Sequence, residues 1–354
     1  MNVLLPGLLC VKEKEPIEER TVHEFVYQKM VHRPCGFAAR VIACGLRQRQ
    51  QGTIRASGAA KQEASQQQTQ TDSLKTTYPL TLQDATGESF TFNEAPKKIV
   101  SVSPAETEAL FAIGLGNEIV GVSDFDDYPE EAKSKPKMGG IMKPNEEAII
   151  AAQPDIVFTG ISMSEEAVKK MRGLGIKIFK TDPKTVDDVI QNIETYGKIT
   201  DHQAEAQKVV DQMKAEENKV VEAVKSLSGD KKKKVYIEFS PGWTVGKGEF
   251  MDELINLAGG INVAADTQGW NEISEEKIIK DNPDVILYAK SVVDDKTKKG
   301  LGDIIKGRSG WDQITAVKNG AVIGLDDNLL SRPGPRVTQG LQEVAKAIYP
   351  ELFK

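Results

Sequence analysis

At 354 residues, with 39% hydrophobic and 28% charged side chains, the chain is long enough for about two domains of ordinary size. A formal net charge of −6 argues against nucleic acid as the main partner, since a phosphate backbone is held by a basic surface. No run of 18 apolar residues occurs, so the sequence offers no helix to span a bilayer.

Residues 1–76 read as a leader and tether, largely disordered. From about residue 56 to 79 the chain is rich in Gln, Ser, Thr and Ala, with little to bury. All three cysteines, Cys10, Cys35 and Cys44, precede this stretch. The body therefore has neither a disulfide nor a thiolate metal site. Its one histidine, His202, excludes the usual His-rich transition-metal site, so no metal is expected. Val41-Ile-Ala-Cys-Gly45 has the form of a bacterial lipobox, with a small residue before a cysteine that becomes lipidated. Arg33, Pro34 and Arg40 interrupt the apolar stretch a secretory leader needs. Cys44 therefore stands as a lipid anchor or as an ordinary free cysteine.

The body reads as alternating strands and helices. A strand pair is expected over 77–92, with a turn at 85–87, then a buried strand at 99–102. Ser103, Pro104 and Glu106 are start signals for a helix that runs to Gly114. Strands follow at 119–122 and 176–179, with helices over 164–175 and after Asp182. Residues 190–224 are helical in pattern, highly charged, and suited to one long helix between two lobes. The run Lys231 to Lys234 reads as a solvated lead-in to a strand at 235–239. A loop at 240–248, a helix from Phe250 to Gly259, a strand at 321–325, a loop at 326–335 and a helix from Arg336 complete the chain. These boundaries give a first lobe at 77–189, a linker at 190–226 and a second lobe at 227–354. Strands alternating with helices indicate mainly parallel sheets.

One segment is written twice. Asn145-Glu-Glu-Ala-Ile-Ile-Ala-Ala-Gln-Pro-Asp-Ile-Val-Phe158 returns without a gap as Ser274-Glu-Glu-Lys-Ile-Ile-Lys-Asp-Asn-Pro-Asp-Val-Ile-Leu287, 129 positions on (147 to 276). Each copy has a cap, two acids for the positive end of a helix, a Pro-Asp stop and a β-branched strand. A spacing this long implies two similar lobes rather than a solenoid.

In parallel sheets, ligands sit beyond the carboxyl ends of the strands. The segments to inspect are Ser103, 125–128, 159–163, 239–243, Trp270 and 328–332. Phe125, Tyr128, Phe239, Trp243 and Trp270 all fall there, in a chain with only 6% aromatics. Large rings stack on flat ligands at low side-chain entropy cost, although any one of them could equally be a hydrophobic plug. Catalytic signatures are missing: Gly114-Leu-Gly116 lacks the rest of a dinucleotide fingerprint, and no phosphate loop or G-x-S-x-G elbow occurs. The loop acids Asp126, Asp127, Asp326 and Asp327 read as solvating residues. A binding protein is expected, not an enzyme, with no cofactor.

The chain resembles the substrate-binding proteins of bacterial ABC importers for ferric siderophores, haem and vitamin B12. The matching landmarks are Lys98-Ile-Val-Ser-Val-Ser-Pro-Ala-Glu-Thr-Glu108, Val120-Gly-Val-Ser123 with Tyr128-Pro129, and Met138-Gly-Gly140. Pro144-Asn-Glu-Glu147, both Pro-Asp turns, Leu257-Ala-Gly-Gly-Ile-Asn262 and Pro333-Gly-Pro-Arg336 continue them. The resemblance implies two Rossmann-like α/β lobes joined by one long rigid helix, with a ligand cleft between the lobes. It implies an extracytoplasmic location, a permease with its ATPase as partners, and Glu147 and Glu276 as the acids that dock on the permease. The vitamin B12 branch matches best, with Phe125, Phe239, Trp270 and Arg332 at its ligand-facing positions. Tyr128, Met142 and Trp243 join them as candidates, and a ferric siderophore is the alternative ligand. Haem ranks third, because no histidine in the second lobe could complete an axial pair with Met142.

Overall fold

The computed structural model describes residues 74–353, so Cys44 and the tether up to residue 73 lie outside the described residues. Thr76, expected in the tether, instead donates to the Asp201 carboxylate at 2.6 Å and to the Lys198 carbonyl at 2.8 Å. A hairpin of β1 (Leu80–Gln83) and β2 (Ser89–Phe92) leads into the first lobe. The central strands of that lobe are β3 (Ile99–Ser101), β4 (Ile119–Val122), β5 (Ile156–Thr159) and β6 (Ile178–Lys180). They form a parallel sheet in the order β4-β3-β5-β6. Helices α1 (Pro104–Ala112), α2 (Glu146–Ala152), α3 (Glu165–Gly173) and α4 (Val186–Thr200) connect and cover it. Burial on both faces is why these strands read as continuous β-branched runs.

The stretch expected as one helix is two. Asp201 adopts φ 60°, closing α4 on the Gly197 carbonyl, and α5 (Gln203–Val224) then starts afresh. A side chain at Gly197 would bring its Cβ within 2.6 Å of the Ala206 Cβ, so glycine is what lets the two helices cross this closely. At about 1.5 Å per residue, α5 spans roughly 33 Å. It packs on α4 and on the last helix of the chain, and so links the two lobes.

In the second lobe β7 (Lys234–Glu238) runs into β8 (Trp243–Val245), followed by α6 (Phe250–Leu257), β9 (Ile261–Asn262) and β10 (Trp270–Glu272). Next come α7 (Glu275–Asp281), β11 (Val285–Ala289), α8 (Leu301–Lys306), α9 (Thr315–Lys318), β12 (Val322–Leu325), α10 (Asp327–Ser331) and α11 (Val337–Ile348). The main sheet is parallel in the order β12-β11-β7-β9. Two expected loops carry structure. Residues 240–248 contain β8, which pairs antiparallel with β10, and residues 326–335 contain α10. Asp326 starts α10 by accepting the Asn328 N–H, and Asp327 is buried with its carboxylate on Ser291. These two acids, expected as solvating residues, shape the loop.

The repeated segment folds alike in both lobes. Asn145 caps α2 through the Ala148 N–H at 3.0 Å, and Ser274 caps α7 through the Lys277 N–H at 3.3 Å. Gln153 and Asn282 close the helices in the left-handed region, at φ 49° and 48°. The Pro-Asp aspartates then tie down neighbouring chain. Asp155 accepts the N–H groups of Lys97 and Lys98, and Asp284 accepts that of Lys234.

Candidate ligand cleft and docking face

The carboxyl ends of the two sheets carry the aromatic candidates. After β4, the Ser123 hydroxyl donates to the Asp126 carboxylate, and Lys137 donates to the carbonyls of Ser123 and Asp126 at 3.0 and 3.2 Å. This fixes a loop that leaves Phe125 half-buried and Tyr128 46% exposed. Gly140 lies against the Phe125 ring, and Met142 is half-buried in the next turn. Burial pushes Asp126 up to about 6, partly offset by its hydrogen bonds from Ser123 and Thr107.

In the second lobe, the β8–β10 register sets Trp243 opposite Glu272 and Trp270 opposite Val245. Opposed residues share a face of a ribbon, so the two tryptophans are diagonal neighbours on one side, both half-buried. Phe239 does not join them at the surface. Only 1% exposed, it meets Trp270 edge-on, with centroids 5.8 Å apart and planes at 84°. The sequence placed Phe239 against the ligand; the fold places it inside the lobe, where it supports Trp270.

Arg332, expected to face the ligand, sits in a network of ion pairs. It is buried, and its Nη1 lies 3.1 Å from Glu108 and 2.6 Å from Asp127. Glu108 in turn holds Arg336 through both oxygens, at 2.7 and 2.6 Å, and the Arg336 guanidinium lies 3.9 Å over the Tyr128 ring. Glu108, Asp127 and Tyr128 belong to the first lobe, the two arginines to the second. Beside them Gly334 rests on the first turn of α1, where a Cβ would come within 3.0 Å of the Ala105 carbonyl. The other two arginines among the described residues are paired as well, Arg172 with Asp84 and Arg308 with Glu238. Sequence reasoning missed Glu108 and Asp127 as site residues. Both lie inside or beside the landmark segments, but a pairing over more than 200 positions leaves no local signal.

A second contact ties the lobes near the linker. The Glu253 carboxylate of α6 accepts the Val186 N–H at 2.8 Å, capping α4 from the opposite lobe. Burial first, then the nearby Glu217, Asp188 and Asp187, lift Glu253 to about 7 against the pull of that hydrogen bond. For Glu253 and Asp126 the folded state holds the proton more tightly than the unfolded chain does. The stability they confer is therefore complete below the ordinary carboxylate range and is lost as pH rises through about 6 to 7. Melting temperature should fall across this window, and Glu253→Gln should flatten the fall. An equally steep profile in Glu253→Gln would remove Glu253 from the explanation.

The two acids of each repeat have different surroundings. Glu146 pairs with Lys170 at 2.7 Å, and Glu275 lies 3.5 Å from Arg308. Glu147 and Glu276 are exposed, and among the described residues neither has a cation within ion-pair distance. The Glu276 carboxylate accepts from the hydroxyl of its own cap, Ser274, at 3.5 Å. The described residues contain no cluster of three or more metal-ligating side chains and no helix long and apolar enough to cross a membrane.

Comparison with known proteins adds to this geometry. The family model described as "Periplasmic binding protein" matches residues 99–329. An uncharacterized ABC transporter substrate-binding lipoprotein of Bacillus subtilis, YvrC, is 37% identical over 284 residues, covering 78% of this chain and 88% of its own length. A cobalamin-binding protein of Halobacterium salinarum is 27% identical, covering 77% of this chain and 74% of that one. Among solved structures, a possible iron-binding (periplasmic solute-binding) protein of Staphylococcus epidermidis aligns with TM-score 0.62 and 32% identity, covering 72% of this chain and 100% of that one.

Proposed function

Starting from the chain's membership of the periplasmic binding protein family, which makes it a substrate-binding protein of an ABC transporter, we propose that its ligand is cobalamin or a related corrinoid. The carrying observation is the pairing of Arg332 and Arg336 with Glu108 and Asp127. A ferric siderophore or haem brings anionic groups and calls for uncompensated guanidiniums. A corrinoid brings a broad ring edged by neutral amides, which suits half-buried rings and polar groups already satisfied. Phe125, Tyr128, Met142, Trp243 and Trp270 would line the cleft, and the cobalamin-binding relative supports the same reading. The second reading is a ferric siderophore, favoured by the iron-binding neighbour at 32% identity.

Calorimetric titration of the full chain with cyanocobalamin, a ferric hydroxamate, a ferric catecholate and haem tests the two. Saturable binding of cyanocobalamin alone is expected, with Trp270→Ala raising its Kd about tenfold or more. Saturation by a ferric chelate alone would replace the corrinoid reading, and an unchanged Kd in Trp270→Ala would remove Trp270 from the pocket.

Delivery follows the family's logic: the loaded protein, on the outer face of the cell membrane, docks on a permease driven by its ATPase. The lipoprotein name of the Bacillus relative supports Cys44 as the anchor. Recovery of Cys44→Ala with the membrane fraction, as for the parent chain, would sink that assignment.

A further inference from the structure

We propose that Asp127 sets the charge selectivity of the cleft by occupying Arg332 with the protein's own carboxylate. The inference rests on the reading that the ligand enters between the lobes, and it names the residue that would decide which ligands are admitted. Arg332 has a 7% exposed side chain, so water cannot solvate its charge well. Glu108, 2% exposed, is committed to Nε and Nη2 of Arg336 and reaches Arg332 only at 3.1 Å. The shorter contact to Arg332, 2.6 Å, is made by Asp127, whose side chain is 52% exposed on the loop between Phe125 and Tyr128.

The buried half of the network is therefore fixed and the exposed half is exchangeable. Two guanidiniums are balanced by two carboxylates, and the cluster presents no net charge to a ligand. An anionic ligand would have to displace Asp127 and leave that carboxylate to be rehydrated, while meeting Glu108 behind it. A neutral ligand leaves the network as it is. Without the Asp127 charge, two guanidiniums would face one carboxylate in a place with little water to screen them, which is the arrangement that holds anions. Of the neighbouring charges, Lys133 also feels the Asp127 carboxylate but is held by Glu130, and both of these side chains are exposed.

The test uses the full chain as parent, Asp127→Asn, Asp127→Glu and Glu130→Gln, titrated with cyanocobalamin and with a ferric tris-catecholate, a trianion. Asp127→Asn should gain about tenfold or more in affinity for the trianion. Its cyanocobalamin Kd should move by much less, so that the ratio of the two affinities shifts toward the trianion by about tenfold. Asp127→Glu, which keeps the charge, should behave as the parent does. An unchanged trianion affinity in Asp127→Asn would overturn the proposal, and so would an equal gain in Glu130→Gln, which would reduce the effect to overall charge. Failure of the parent chain to bind cyanocobalamin would defeat the corrinoid reading alone, because the trianion comparison still decides the role of Asp127.

Discussion

Arg308→Ala is expected to destabilise the second lobe by about 3–5 kcal/mol, the cost of stranding a buried carboxylate. Glu238, the last residue of β7, has a fully buried side chain and takes two 2.5 Å contacts from the Arg308 guanidinium. Its remaining acceptor positions are used by the Tyr236 hydroxyl and the Gly242 N–H, both at 3.0 Å. Arg308 is held from behind by the Trp311 ring, 4.6 Å from the guanidinium carbon. Removing Arg308 leaves Glu238 with two neutral donors and no counter-charge, in a place water does not reach. The cost falls on the site as well as on stability. Glu238 immediately precedes Phe239, which supports Trp270, and it fixes the turn at Gly242 that leads into β8. Denaturant unfolding measures the effect, and Arg308→Met combined with Glu238→Gln should recover much of it, since no charge is then left unpaired. A loss under about 1 kcal/mol in Arg308→Ala would mean that water reaches Glu238.

The part of this fold legible in the sequence is the part written in local chemistry. The caps Asn145 and Ser274, the Pro-Asp turns and the β-branched runs gave α2 with β5, and α7 with β11, within a residue or so of their bounds. The parallel pairing of β3 with β5 and of β7 with β11 follows from strand–helix alternation. What was not legible depends on contacts between distant segments. The β8–β10 ribbon consists of two three-residue strands, too short to show an alternating pattern. The break between α4 and α5 rests on the left-handed Asp201 in an otherwise helical sequence. Phe239 and Trp270 are both aromatics at strand ends, and only tertiary packing makes one of them the support of the other. Arg332 was singled out as a ligand-facing residue, yet its Glu108 partner lies 224 positions away, so the pairing was not visible. Arg336, read as helix start and structural, is both the cap of α11 and a member of that ion network.

The symmetry of the two lobes supports the second large prediction. Glu147→Ala combined with Glu276→Ala should reduce uptake into cells by two orders of magnitude or more, while the ligand Kd measured on the purified chain stays unchanged. An exposed carboxylate that meets an arginine in a complex gains a charge-assisted pair, and losing such a pair at an interface costs about 2–5 kcal/mol. With one on each lobe, the two losses compound. The adjacent acids cannot substitute, because Glu146 is held by Lys170 and Glu275 by Arg308, whereas Glu147 and Glu276 have no such partner among the described residues. Each lobe thus presents one uncommitted carboxylate on the first turn of a repeated helix, in the same register. Glu146→Ala with Glu275→Ala, which removes the same number of charges from the same helix starts, is the control and should leave uptake near the parent level. Equal loss in both double variants would mean that the helix starts matter only through their charge, and a fall in ligand affinity in the first would place these acids at the ligand instead of at the permease.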